Sequence, residues 1–188
     1  MGVDTSSFYE LPRRIFLDSS TLQTLQDYGS FIWEGETLPE LARIERDPQG
    51  LAKLEALRAI MFVNQRAMFE FALSENSLAE VSDKGDAYYL SWAYDVLDHW
   101  SVCIEESGGL APAREPLLKK LDNGSFGYLS VKDRLLLKDA LLFSCEAFLT
   151  MENRLPKNAV HIERELGIKV VTPAQYWELL RPWAKLYV

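Results

Sequence analysis

Short apolar runs alternate with longer amphipathic segments along this chain of 188 residues. Helical spacing of apolar positions marks the segments between and after the runs. Four runs have the length and side chains of buried strands: Arg14–Leu17, 69–73, 147–150 and 168–171. Predicted helices occupy 19–28, a helical region over 39–66 in which Asp47-Pro48 marks a start, a short stretch opened by Ser74 and Ser77, 87–104, 112–121, 130–145, 156–166 and the segment after Thr172. Strands that alternate with helices predict a three-layer α/β/α fold, with a central parallel β-sheet of about four to five strands.

Terminator and capping residues sharpen the last part of this pattern. Gly167 is a C-terminal stop for the helix before it. Thr172 is followed by Pro173 and, three residues after the cap, by Gln175, which predicts a capping box at the start of the final helix.

The helices before the third strand exceed what one crossover needs, so we interpret 88–123 as a helical insertion in a single domain spanning 1–188. Its aromatic stripe contains Tyr89, Trp92 and Trp100. Aromatic residues at helical spacing usually face a core, although such a stripe can also stack nucleic-acid bases.

Composition limits the function classes. The net charge of −8 argues against a protein that holds nucleic acid through a broad basic face, but it does not exclude a nuclease that gathers acids around cations. Cys103 and Cys145 stand singly in apolar stretches, which favours buried thiols over a zinc site or a disulfide. No segment has the length to cross a bilayer, and the start lacks a secretory pattern, so we expect a soluble, cytoplasmic protein with no membrane partner.

Four acidic residues fall where the ends of parallel strands and the starts of crossover helices share one edge. Asp18 ends the first strand, and Glu152 lies just beyond the third. Glu80 follows the second strand by one or two helical turns, and Asp133 is in the first turn after Ser130. Side chains at this edge share one crevice, so we expect the four carboxylates to converge. Asp139 lies six residues after Asp133 and is a weaker candidate for binding a cation together with these four acids.

Carboxylates alone suffice for one class of metal chemistry. Mg²⁺ and Mn²⁺ prefer oxygen ligands, and such a cation activates water and stabilises charge on a phosphate. The chain has two histidines, which disfavours an imidazole-based ribonuclease. A simpler interpretation stays open for Glu80 and Asp133, because each stands three residues after a serine and fits a capping box.

The order and spacing of these motifs resemble the PIN-domain nucleases. The matching segments are Phe16-Leu17-Asp18-Ser19-Ser20, the run 73–81, and most of 133–180, including Gly167-Ile168-Lys169-Val170-Val171-Thr172-Pro173. The resemblance implies a PIN-like fold and a phosphodiesterase that depends on Mg²⁺ or Mn²⁺ and acts mostly on RNA. It also implies that Asp18, Glu80, Asp133 and Glu152 are the catalytic and metal-binding acids. The chain departs from the family in having Glu152 where an aspartate is usual, and in the insertion before Asp133.

The predicted function is therefore a metal-dependent endoribonuclease that hydrolyses RNA phosphodiester bonds. Such an enzyme would be either the toxin of a toxin–antitoxin pair or an RNA-processing nuclease, and its substrate would be RNA. A protein partner such as an antitoxin and a homo-oligomer are further possibilities. Three basic residues near the acidic edge are candidates for phosphate contacts: Lys132, Arg154 and Lys157. The alternative is a catalytically inactive PIN-like module that binds a protein partner.

Overall fold

The computed structural model describes residues 6–38, 42–79, 81, 87–106, 114–122 and 124–186. Within these residues, four parallel strands form one sheet in the order β2-β1-β3-β4. The strands are β1 (Arg14–Leu17), β2 (Glu70–Ala72), β3 (Ala147–Leu149) and β4 (Lys169–Val171). This sheet, covered by helices on both faces, confirms the predicted three-layer α/β/α fold.

The helices that surround the sheet follow the predicted segments in most places. They are α1 (Ser6–Tyr9), α2 (Ser19–Asp27), α3 (Gly50–Ala67), α4 (Glu75–Leu78), α5 (Ala87–Glu106), α6 (Glu115–Asp122), α7 (Val131–Leu142), α8 (Ala159–Leu166) and α9 (Pro173–Leu180). Shorter 3₁₀ segments cover Arg43–Arg46, Leu155–Asn158 and Arg181–Leu186, and a π-helical turn covers Ser30–Glu34.

Period-2 alternation along the strands separates two apolar cores. Ile15 and Leu17 of β1 face the layer that contains α2, α3 and α9. Phe16 of β1 and Phe148 of β3 face the opposite layer, where α7 and α8 pack. Successive side chains of a strand point to opposite faces, so a strand buried on both sides is apolar throughout, as these are.

Within the helical region predicted over 39–66, the start signal Asp47-Pro48 is confirmed, because the α-helix begins two residues later, and the described residues before that signal are not α-helical. Residues 42–49 form a 3₁₀ turn and a bend, while residues 39–41 lie outside the described part of the chain. The helix begins at Gly50, whose backbone N–H donates to the Asp47 carbonyl at 2.8 Å. A Cβ at position 50 would lie 2.0 Å from the Ile44 carbonyl oxygen, so only glycine permits this close turn.

Helix α5, which lies in the predicted insertion 88–123, packs against both apolar cores. Tyr89 and Ala93 join the α3 side of the core, and Trp100 joins the α7 side. The Trp100 indole N–H donates to the Phe71 carbonyl at 2.8 Å, so α5 is tied to β2. Tyr89 and Trp100 are buried, which confirms that they belong to the core.

Two further predictions concern single residues and the membrane. Cys145 is buried with a free thiol, and burial raises its pKa, whereas the Cys103 side chain lies outside the described residues. Among the described helices, none is both long and apolar enough to cross a membrane.

Candidate functional site

The strand order creates a crevice between β1 and β3. From β1 the chain crosses to β2 on one side and later to β3 on the other, so the connections diverge between these two central strands. In an open parallel sheet, ligands bind outside the carboxyl ends of the strands at such a switch point. Asp18 follows β1 directly, and Glu152 lies three residues beyond the end of β3.

A cavity of about 160 Å³ lies at this position. It brings together Asp18, Asp133 and Glu152, three of the four acids selected from the sequence. Leu136, Phe148 and Leu155 supply apolar lining, and the remaining residues are polar or basic: Ser19, Ser20, Ser130, Lys132, Thr150 and Arg154. Acidic and basic residues therefore line the same small cavity.

Asp18 is only 5% exposed and caps α2. Its Oδ1 accepts the Thr21 backbone N–H at 2.8 Å, and the Ser20 hydroxyl donates to both carboxylate oxygens at 2.8 and 2.9 Å. Burial raises the pKa of this carboxyl, although hydrogen bonds from Thr150, Thr21 and Ser20 partly offset that effect. The site thus contains a desolvated acid whose charge is costly without a partner.

Ser20 connects the ends of β1 and β3. While its hydroxyl donates to Asp18, its oxygen accepts the Met151 backbone N–H at 3.0 Å. The Thr21 hydroxyl donates to the Leu149 carbonyl at 2.9 Å. These bonds fix the start of α2 against the chain that leaves β3 and carries Glu152.

Asp133 lies in the first turn of α7 and completes a capping box with Ser130. Its Oδ2 accepts the Ser130 hydroxyl at 2.7 Å, and its backbone N–H donates to that hydroxyl oxygen at 3.0 Å. The capping interpretation is confirmed for Asp133, and the side chain also lines the cavity. Glu152 differs from both aspartates because it is exposed, and its backbone N–H donates to the Thr150 hydroxyl oxygen at 3.1 Å.

The other selected residues are distributed differently. Glu80 lies outside the described residues. Lys132 and Arg154 line the cavity, whereas Lys157 lines a neighbouring cleft with Asn153 and Gln175.

Asp139 is engaged away from the cavity. It is buried and accepts from the Ser74 hydroxyl at 2.6 Å and from the Asn76 side chain at 2.9 Å. Ser74 and Ser77 form the capping box at the start of α4, so Asp139 joins α7 to that cap.

Within the part of the chain that the structure describes, no group of three or more His, Cys, Asp or Glu side chains is arranged to hold a metal ion. Asp18 and Asp133 instead direct carboxylate oxygens to the caps of their own helices. All three acids of the cavity supply oxygen donors, which is the chemistry that Mg²⁺ and Mn²⁺ accept. A cation here would compete with the cap hydrogen bonds and would relieve the buried charge of Asp18.

Lys53 is the residue of this region that the sequence analysis missed. It is 1% exposed on α3 and donates to the Met151 carbonyl, next to Glu152. The available signal was its spacing, since Lys53 precedes Leu57 by four residues and Ile60 by seven and so shares their buried stripe.

Comparison of the chain with known proteins identified no relative. No protein-family model, no curated protein and no solved structure matches the chain.

Proposed function

We propose that this protein is a divalent-metal-dependent ribonuclease whose active site is the cavity between the ends of β1 and β3. The observation that carries the proposal is the meeting of Asp18, Asp133 and Glu152 around one cavity at the switch point of the sheet. The motifs that resemble the PIN-domain nucleases contribute the reaction class and add Glu80 as a fourth acid.

The residue types suit phosphodiester hydrolysis. The three carboxylates of the cavity would hold Mg²⁺ or Mn²⁺ by their oxygens. Such a cation, when bound, lowers the pKa of water and neutralises charge that develops on the phosphate. Lys132 and Arg154 line the same cavity and would hold the phosphate that the net acidic chain otherwise repels.

A second candidate is a catalytically inactive PIN-like module whose aromatic helical insertion binds a protein partner. The cap hydrogen bonds of Asp18 and Asp133 favour it, because carboxylates that serve as caps need no metal. The two candidates differ in whether the purified chain cleaves RNA.

Cleavage of single-stranded RNA in Mg²⁺ or Mn²⁺ tests the proposal directly. We expect the wild type to cleave, and Asp18→Asn or Asp133→Asn to lower the rate about a hundredfold or more, because the attacking water is no longer positioned. Asp98→Asn, which removes an exposed acid of α5 outside the cavity, is the matched control and should keep full activity. Circular dichroism establishes that each variant is folded.

Glu152→Asp tests whether the glutamate at this position makes the site inactive. An inactive wild type that this change activates indicates that the extra methylene of Glu152 prevents function. If neither form cleaves several RNAs in either metal, the ribonuclease proposal is wrong and the partner-binding module becomes the better description.

A further inference from the structure

A buried ammonium group lies beneath the segment that carries Glu152. Lys53 is 1% exposed, in a helix face that also buries Leu57 and Ile60. An ionised amine is costly to bury unless every donor is satisfied and its charge is balanced. Its position among apolar residues therefore calls for an explanation.

The three N–H donors of Lys53 have three acceptors. Nζ lies 2.8 Å from Asp47 Oδ2, 2.7 Å from the Met151 carbonyl oxygen and 2.7 Å from Asn153 Oδ1. Asp47 supplies the balancing charge, and the Lys53 hydrogen bond lowers the pKa of its carboxyl. The other two acceptors belong to the chain that leaves β3.

Those two acceptors flank Glu152 in the sequence. The Met151 backbone N–H is held by the Ser20 hydroxyl, and the Glu152 backbone N–H by the Thr150 hydroxyl. Lys53 adds one hydrogen bond on each side of Glu152 from a second helix, α3. The residues on both sides of Glu152 are thus held in place, and Glu152 itself is exposed and lines the acidic cavity.

We propose that Lys53 is a positioning residue for the acidic site, and that its ammonium group fixes the segment 151–153 so that the Glu152 carboxylate faces the cavity. This inference rests on the proposed metal-binding function for its consequence, but not for its geometry. A well-packed apolar residue would fill the same volume without the desolvation cost, so stability alone does not explain a lysine here. Removing a residue that holds a metal ligand in place typically weakens metal affinity by about ten- to a hundredfold.

Two substitutions in this chain separate the loss of the Lys53 hydrogen bonds from the loss of a lysine charge elsewhere. Lys53→Met keeps the buried stem but removes all three hydrogen bonds. Lys120→Met is the matched control, because it removes an ammonium group that contacts Glu165 and lies outside the segment 151–153. Amide hydrogen exchange across 150–154 reports on the segment, and Mn²⁺ binding by calorimetry reports on the site.

We expect Lys53→Met to accelerate exchange in 150–154, and to weaken Mn²⁺ binding about ten- to a hundredfold. Exchange at the Thr172 capping box, which Lys53 does not contact through these bonds, should remain as in the wild type. Lys120→Met, which removes only the contact with Glu165, should leave the exchange in 150–154 and the Mn²⁺ affinity unchanged.

Unchanged exchange in folded Lys53→Met overturns the proposal, as does an equal loss of Mn²⁺ affinity in the two variants. Should Lys53→Met fail to fold, Asn153→Ala, which removes one acceptor from an exposed residue, must accelerate exchange at 151–153 or the proposal is wrong. A wild type that binds no Mn²⁺ contradicts the proposed function, while the exchange comparison still decides whether Lys53 fixes the segment.

Discussion

At the level of single residues, Asp18 affects the stability of the folded chain in two opposite ways. Its Oδ1 caps α2 through the Thr21 N–H, which stabilises the helix start. Its burial, however, makes the ionised form costly and raises its pKa. A residue that keeps the cap but removes the charge should therefore improve the metal-free fold.

Asp18→Asn is predicted to raise metal-free stability in a pH-dependent way. Because the folded pKa of Asp18 is raised, the native state binds more protons than the unfolded chain across that interval, and wild-type stability falls as pH increases through it. The variant should match the wild type at acidic pH, where Asp18 is protonated, and exceed it at neutral pH. A gain of about 1 kcal/mol would raise the midpoint by about 2–4 °C in a domain of this size.

Thermal unfolding of both proteins across a pH series without metal measures this effect. The Asn variant being equal to or less stable than the wild type at neutral pH would contradict it. So would a difference that is independent of pH.

At the scale of elements, α4 and α7 are joined by a single buried carboxylate. The Ser74 hydroxyl accepts the Ser77 N–H to cap α4 and donates to Asp139 of α7. Asn76 donates to the same carboxylate oxygen. The carboxylate that seemed from its sequence position to be a weak metal candidate therefore connects two helix ends.

Asp139→Ala is predicted to lower the free energy of unfolding by about 1–3 kcal/mol, because donors in a buried setting lose their acceptor. Asp139→Asn is the control: it retains one acceptor oxygen and should cost less. Urea unfolding provides the free energies, and calorimetry with Mn²⁺ should give the wild-type affinity for both variants. A loss of Mn²⁺ binding without a loss of stability would instead make Asp139 a ligand.

At the scale of the whole molecule, the acidic cavity lies where both helical layers meet the sheet. Asp18 caps α2 in one layer, and Asp133 lies in the first turn of α7 in the other layer. Glu152 lies just beyond the end of β3 in the sheet. A cation held by all three would link the layers and stabilise the folded chain by mass action.

Mn²⁺ is predicted to raise the thermal midpoint of the wild type. At a free concentration one hundred times the dissociation constant, the stabilisation is about 2.7 kcal/mol, or about 5–10 °C here. Asp133→Asn should lose most of this shift, while Asp98→Asn, an exposed acid of α5, should retain it. Differential scanning calorimetry with and without Mn²⁺ measures the shifts; equal shifts in all three proteins would show non-specific binding to an acidic surface.

Local sequence was sufficient to predict the features that depend on neighbours a few residues apart. Apolar runs indicated the four strands, and the spacing of Thr172 and Gln175 indicated the cap of α9, because alternation and capping are interactions of short range. The acids at strand ends and helix starts could likewise be selected from local order, and three of them line one cavity.

Tertiary structure alone decided what depends on contacts between distant residues. The order β2-β1-β3-β4 put the switch point between β1 and β3. Lys53 reaches the Met151 carbonyl across 98 positions of sequence, a pairing that no local pattern encodes. Burying an ammonium group is favourable only when the folded chain delivers all its acceptors together, so the role of Lys53 exists in the fold and not in the sequence around it.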